Sequence, residues 1–209
     1  LLTFVEEAIH TDYVNVVNIG CADGYYAVGM ARRMPKSKMW AYDINSAAQD
    51  ACRELAQKND VSERIEIGAL FGPENFAQFA NEKTLVMCDI EGAEQELLDP
   101  QLAPDLVGMD IIVESHECII KGLTQTLIDR FSVTHKITLI QDKGQRQFEV
   151  LPKDYENWAN LDQLVATWEW RSGPTPWMVM KSRLLQADLT IAQTAPKLKS
   201  KSKESSKKS

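Results

Sequence analysis

The feature that most constrains this chain is an alternation that begins at Val14, where short apolar runs of strand length give way repeatedly to segments whose apolar residues recur every three to four positions. Short apolar runs bury strands and a 3.6-residue period buries one face of a helix, so the pattern predicts an α/β domain on a largely parallel sheet. Strands are read at Val14 to Ile19, Met39 to Tyr42, Ile65 to Ile67, Leu85 to Cys88, Ile111 to Val113, Ile137 to Ile140 and Trp177 to Met180. Several are unbroken apolar runs, as a sheet covered by helices on both faces requires. Between them, Ala27, Met30, Ala31 and Met34 share a helix face that Pro35 ends. Ser46 with Gln49 reads as a capping box opening a helix whose Ala48, Cys52, Leu55 and Ala56 point one way. Leu123, Leu127, Ile128 and Phe131 mark a later helix.

The chain has 209 residues, which predicts one domain over residues 1–196 followed by a Lys/Ser tail at 197–209 with too few apolar residues to order. The stretch Pro152 to Pro176 interrupts the rhythm with three of the five tryptophans and a cluster of turn residues, and reads as an insertion before the last strand. No apolar run approaches the roughly 20 residues of a membrane span. Leu1 to His10 lacks the basic flank and long apolar core of a signal peptide, and a start at Leu1 reads as trimmed. Cys21, Cys52, Cys88 and Cys118 form no CxxC pair and no Cys/His cluster, so reduced thiols in a cytoplasmic protein are expected. The charge is uneven: the tail carries six Lys and one Glu, whereas residues 1–196 carry 17 basic and 29 acidic residues. An acidic body excludes a nucleic-acid phosphate track on the main domain and leaves only the tail to meet anions.

The first strand runs into Gly20-Cys21-Ala22-Asp23-Gly24-Tyr25, a small-residue turn leading to a helix. Such a turn lets backbone amides approach a ligand that Cβ atoms would block. The small residues fall at i, i+2 and i+4 with bulky Tyr25 at i+5, which is wrong for a dinucleotide fingerprint and disfavours a pyrophosphate. Asp43 ends the second strand, where an acid either accepts a ribose diol or leads the next helix. Asp89-Ile90-Glu91 follows the fourth strand and Glu114-Ser115-His116-Glu117 the fifth. In an open α/β sheet the ligand crevice lies outside the carboxyl ends of the strands, so both clusters should face the crevice that holds Gly20 and Asp43. Carboxylates beside an imidazole suggest proton handling or a divalent cation, with helix N-capping as the alternative for Asp89 and Glu114. Glu94 and Glu96 read as solvated acids of a first helical turn.

At these residues the sequence resembles the class I S-adenosylmethionine-dependent methyltransferases, and within them the FkbM-type branch. NIGCADGYYAVGMA looks like that branch's D-x-G-A-N-x-G-Y-Y motif, LVMCDIEGAEQELLDP like its I-D-V-E-G-A-E signature, and IIVESHE like its strand-five segment. The likeness covers roughly Asn15 to Ile140, with DIEGAE its most specific piece. It implies a Rossmann-like, seven-stranded, mostly parallel sheet with the last strand antiparallel and helices on both faces. It also implies S-adenosylmethionine held by Asn18, Gly20, Cys21, Ala22, Asp23, Gly24, Tyr25, Asp43, Ile44 and Asp89, the methionine portion near Asn18 and Gly20 and the ribose on Asp43. Asn18 stands where the branch usually has an acid, so it can bond the cofactor's amino group but brings no charge.

The activity implied is oxygen-directed methylation of a small molecule. For a hydroxyl acceptor a base from Asp89, Glu91, Glu114 or His116 would have to lie within about 3 Å, directly or through one water. In a second version Asp89 and Glu91 hold a Mg-like cation that orients a vicinal diol. Methylation of nitrogen or of a peptide or protein surface, and a catalytically silent cofactor-binding module of the same fold, remain as rival readings.

Overall fold

The computed structural model describes residues 1–141, 153–168 and 171–185. Helix α1 (Leu2–Ile9) precedes β1 (Asn15–Ile19), α2 (Tyr25–Arg33), β2 (Lys38–Tyr42), α3 (Ser46–Lys58), β3 (Ile65–Gly68), β4 (Thr84–Cys88), α4 (Glu94–Leu97), β5 (Asp110–Glu114), α5 (Leu123–Phe131), β6 (His135–Ile140), α6 (Asn160–Thr167) and β7 (Trp177–Ser182). The seven strands form one sheet in the order β3-β2-β1-β4-β5-β7-β6. All neighbours are parallel except β7, which runs antiparallel to both β5 and β6. This is the expected seven-stranded, mostly parallel, Rossmann-like sheet.

Every residue of β1, β4 and β5 is buried. Successive side chains point to opposite faces of a strand, so each strand feeds two cores. Val17, Ile19, Val86, Cys88, Ile111 and Val113 pack with Leu97 of α4 and Leu123, Leu127 and Phe131 of α5. Val16, Leu85, Met87 and Ile112 pack with Val5 and Ala8 of α1 and with Val28, Met30 and Ala31 of α2. An alternating polar face would have left one side of the sheet to water; the unbroken runs do not.

Two connections depart from helix. Between β3 and β4 the chain makes a 3-10 turn, Pro73–Phe79, that buries Phe76 and Phe79, and before β5 another, Pro104–Gly108, that buries Leu106. Each opens on a proline, whose fixed φ suits a first helical position and whose missing N–H is not needed there. The capping box expected at Ser46 is corrected: Ser46 is already helical, and the cap is Asn45, whose Oδ1 accepts from Ala47 N at 3.0 Å. Gln49 instead donates from Nε2 to the Asp43 carbonyl at 2.8 Å.

Within the 152–176 segment the described residues form a 3-10 turn (Tyr155–Asn157) and α6, with Trp158 and Trp168 exposed. Trp170 and the 197–209 tail, with its expected disorder, lie outside the described residues. The four cysteines are free thiols. Among the described residues no helix is long and apolar enough to cross a membrane.

Sheet order fixes where a site can form. The chain leaves β1 toward β2 and β3 on one side, then returns to β4 on the other, so the connections diverge between the paired strands β1 and β4 and open a crevice at their carboxyl ends. Backbone bonds tie that point together: Asp89 N donates to Ile19 O at 3.0 Å and Gly20 N to Tyr42 O at 2.8 Å.

Candidate active site

A cavity of about 850 Å³ opens at this point, within the 300 to 1,000 Å³ usual for small-molecule sites. Gly20, Asp43, Ile44, Asp89 and Glu91 line it, joined by Tyr42, Leu70 and Phe71. The turn beneath it takes left-handed backbone at Gly20 (φ 76°), Ala22 (φ 47°) and Gly24 (φ 91°). A Cβ built on Gly20 would stand 1.7 Å from the Asp89 carbonyl oxygen, so only glycine lets the β1 and β4 ends approach this closely. Asp43 braces the turn: its Oδ2 accepts from Ala22 N at 2.9 Å and its Oδ1 from Asn45 N at 2.9 Å. Each carboxylate oxygen keeps a further lone pair. Asn18 is buried below the turn, and its Oδ1 has no hydrogen-bond partner. Asn18, Cys21 and Gly24 are buried and Ala22, Asp23 and Tyr25 exposed, all six outside the cavity lining.

Beside the cavity the four residues singled out at the ends of β4 and β5 converge. His116 Nε2 lies 3.2 Å from Glu91 Oε2, 3.6 Å from Asp89 Oδ1 and 4.0 Å from Glu114 Oε2. Glu91 holds its place with a left-handed backbone (φ 53°), uncommon for a non-glycine residue and frequent where a site fixes a side chain. Asp89 and Glu91 front the cavity; Glu114 and His116 are buried and absent from its lining.

Two members of this cluster escaped the sequence. Glu94 is fully buried, not solvated, and the expectation is corrected: its Oε1 accepts from the Ile90 amide at 3.0 Å and bonds His116 Nδ1 at 2.7 Å. A preference for acids in a first helical turn carries no information about a partner 22 residues away. Glu96 is exposed, as expected. Arg171, from the segment before β7, reaches Glu114 Oε2 at 3.3 Å and Glu91 Oε2 at 3.8 Å. Nothing local to Arg171 in the sequence signals that contact. Leu70 and Phe71 were also passed over, although the crevice rule applied to the end of β3 would have found them.

Crowding sets the electrostatics. Burial, then the neighbouring Glu114 carboxyl, pushes Asp89 up to about 7. Burial opposes a charged His116, but the hydrogen bond and charge of Glu94, with the charges of Glu91 and Asp89, outweigh it and raise the imidazole above its usual value. Four carboxylates thus surround one imidazole, with Arg171 the guanidinium paired to them among the described residues.

The sequence matches no family model, and no curated protein sequence matches it. Its fold is nevertheless shared with solved class I SAM-dependent methyltransferases. The O-methyltransferase TomG from Streptomyces achromogenes, in complex with SAM, superposes with a TM-score of 0.56 at 10% identity, covering 86% of this chain and 78% of that one. Precorrin-6y C5,15-methyltransferase from Geobacter metallireducens gives 0.53 at 10% identity, over 86% of this chain and 87% of that one. A SAM-dependent O-methyltransferase from Thermotoga maritima gives 0.51 at 12% identity, over 86% and 64%. At these identities the likeness establishes the fold.

Proposed function

We propose that this chain is an S-adenosylmethionine-dependent methyltransferase, akin to the FkbM-type branch, acting on a hydroxyl of a small molecule. The observation that carries the reading is the cradle at the β1–β4 divergence: a backbone approach that only Gly20 permits, and beneath it a buried Asn18 oxygen that lacks a partner. An unpaired buried acceptor is costly, so Asn18 Oδ1 is suited to a ligand's amino group. Asp43 has lone pairs left for a ribose diol, and Ile44, Leu70 and Phe71 offer apolar walls to a purine. Bound there, S-adenosylmethionine supplies a methyl group on a sulfonium, already activated for in-line displacement.

This chain's work is then alignment, exclusion of water and removal of the acceptor's proton. Asp89 and Glu91 front the cavity and are the nearest groups able to take that proton, directly or through one water. Behind them Arg171 pairs with Glu91 and with the buried Glu114, and His116 lies alongside. The acidic body, 17 basic against 29 acidic residues over 1–196, favours a small acceptor over a nucleic acid, and this reading takes residues 1–196 as one domain.

Incubating the protein and an extract with cofactor labelled in its methyl group, then searching by mass spectrometry for the labelled product, tests the activity and identifies the acceptor. With that acceptor, Asp89→Asn should lower turnover by roughly 10² to 10⁴ while changing cofactor affinity much less. Parent-level turnover in Asp89→Asn and in Glu91→Gln removes both from proton transfer.

A further inference from the structure

Three buried side-chain atoms in the acidic cluster have no hydrogen-bond partner: Asp89 Oδ1, Glu94 Oε2 and His116 Nε2. The same three residues offer ligand atoms that lie within 4.8 Å of one another. Native interiors leave few polar atoms unsatisfied, and Asp89 Oδ1 and His116 Nε2, 3.6 Å apart, call for something that satisfies both. The orientation of the imidazole says what. Nδ1 bonds Glu94 Oε1 at 2.7 Å, which holds one ring proton there, so a cation that displaces the second proton meets a lone pair at Nε2. Nε2 faces the oxygens of Glu91 and Asp89 at 3.2 and 3.6 Å, and neither is aligned to share a hydrogen bond with it. What the facing carboxylates attract there is a positive centre, either a second ring proton or a bound cation.

We propose that His116 Nε2, together with the Asp89 and Glu91 carboxylates, binds one divalent cation of the first transition row, with Glu94 as the outer carboxylate that fixes the imidazole. Two ligands on a common ion at bonds of about 2.0 to 2.2 Å stand roughly 2.9 to 3.5 Å apart, so small side-chain rotations close this set around a metal. The carboxylate–imidazole–metal chain from Glu94 through Nδ1 to Nε2 is the usual way a metal-binding histidine is held. A nitrogen donor in the set favours manganese, cobalt or zinc over magnesium, which prefers oxygen alone. Glu114 stays outside the shell, since Arg171 lies closer to it than His116 does. Among the described residues, four carboxylates against the guanidinium of Arg171 also leave negative charge that a dication offsets. The site stands on its own geometry and not on the methyl-transfer reading, although an ion there would border the cavity where an acceptor oxygen must lie.

The test titrates chelator-stripped protein with manganese alone, followed by loss of the free-ion paramagnetic resonance signal, and with cobalt alone, followed by its visible bands. One ion per chain is expected, with magnesium competing poorly. His116→Gln should weaken manganese binding at least tenfold, Glu94→Gln by roughly 10 to 100-fold, and Glu91→Gln several-fold. Glu91 is mostly exposed, so its variant keeps the test valid even where a buried substitution disturbs folding. Absence of stoichiometric binding at millimolar manganese and cobalt, or binding unchanged in Glu91→Gln and His116→Gln, overturns the proposal. No cofactor is present, so the outcome is separable: S-adenosylhomocysteine binding without metal binding removes only the cation, and the reverse removes only methyl transfer.

Discussion

At Gly20 an added methyl group has nowhere to go, because the atom it meets is the Asp89 backbone carbonyl and not a movable side chain. Gly20→Ala should therefore cost about 1 to 2 kcal/mol from the left-handed backbone alone, and more from the clash. A lower melting temperature together with at least a tenfold loss of S-adenosylhomocysteine affinity by calorimetry is expected; parent-like affinity moves the cofactor away from this turn. Asp43 is different because it serves both the fold and the proposed ligand. Asp43→Asn keeps one acceptor oxygen for the Ala22 or Asn45 amide but loses the charge and the second acceptor. Cofactor affinity should fall by about 1.5 to 3 kcal/mol, the range for hydrogen bonds to a charged group, with a smaller effect on melting. The place of Gly20, Asp43 and Asp89 beside the cavity was legible in the sequence because chain order alone puts strand ends beside a crevice. Glu94 was not: its burial depends on His116, which only the folded sheet brings alongside.

At the scale of elements, the strands were legible to within a residue or two, and in β1, β4 and β5 the reason is burial on both faces, which writes a nearly unbroken apolar run. The connections were harder, since the aromatic residues of Pro73–Phe79 fill a core face through 3-10 turns that leave no helical period. How β7 is secured was hidden as well, because its partners are distant in sequence. Asp110, at the start of β5, accepts from Tyr13 Oη at 2.5 Å and from Ser182 N, at the end of β7, at 2.8 Å. Lys181 donates to Tyr13 Oη at 3.0 Å and pairs with Asp110 at 3.3 Å. Burial, then the Asp110 charge, holds the Tyr13 phenol far above its usual value, so it remains a donor at all ordinary pH. Tyr13→Phe keeps the ring and removes one donor to a buried carboxylate, and should cost about 1.5 to 3 kcal/mol in urea unfolding without changing cofactor affinity. A loss of affinity equal to the loss of stability would show that this lock, at the sheet end opposite the cavity, is coupled to the site.

For the molecule as a whole, the order β3-β2-β1-β4-β5-β7-β6 is what turns scattered residues into one site: it sets Gly20, Asp43 and Asp89 around one divergence and lets the segment before β7 bring Arg171 to the cluster. A ligand that binds only this folded arrangement must stabilise the whole molecule. At 100 times its dissociation constant it adds about 2.7 kcal/mol. For a domain of this size each kcal/mol moves the melting temperature by about 2 to 4 °C, so saturating S-adenosylhomocysteine should raise it by roughly 5 to 11 °C. NAD at the same concentration should leave it unchanged, because the i, i+2, i+4 spacing of Gly20, Ala22 and Gly24 is wrong for a pyrophosphate while Asp43 suits a ribose. The comparison discriminates because both ligands carry adenosine, so an upward shift common to both would report only an adenosine pocket. A shift with NAD alone would make this sheet a dinucleotide-binding one and remove methyl transfer from the molecule.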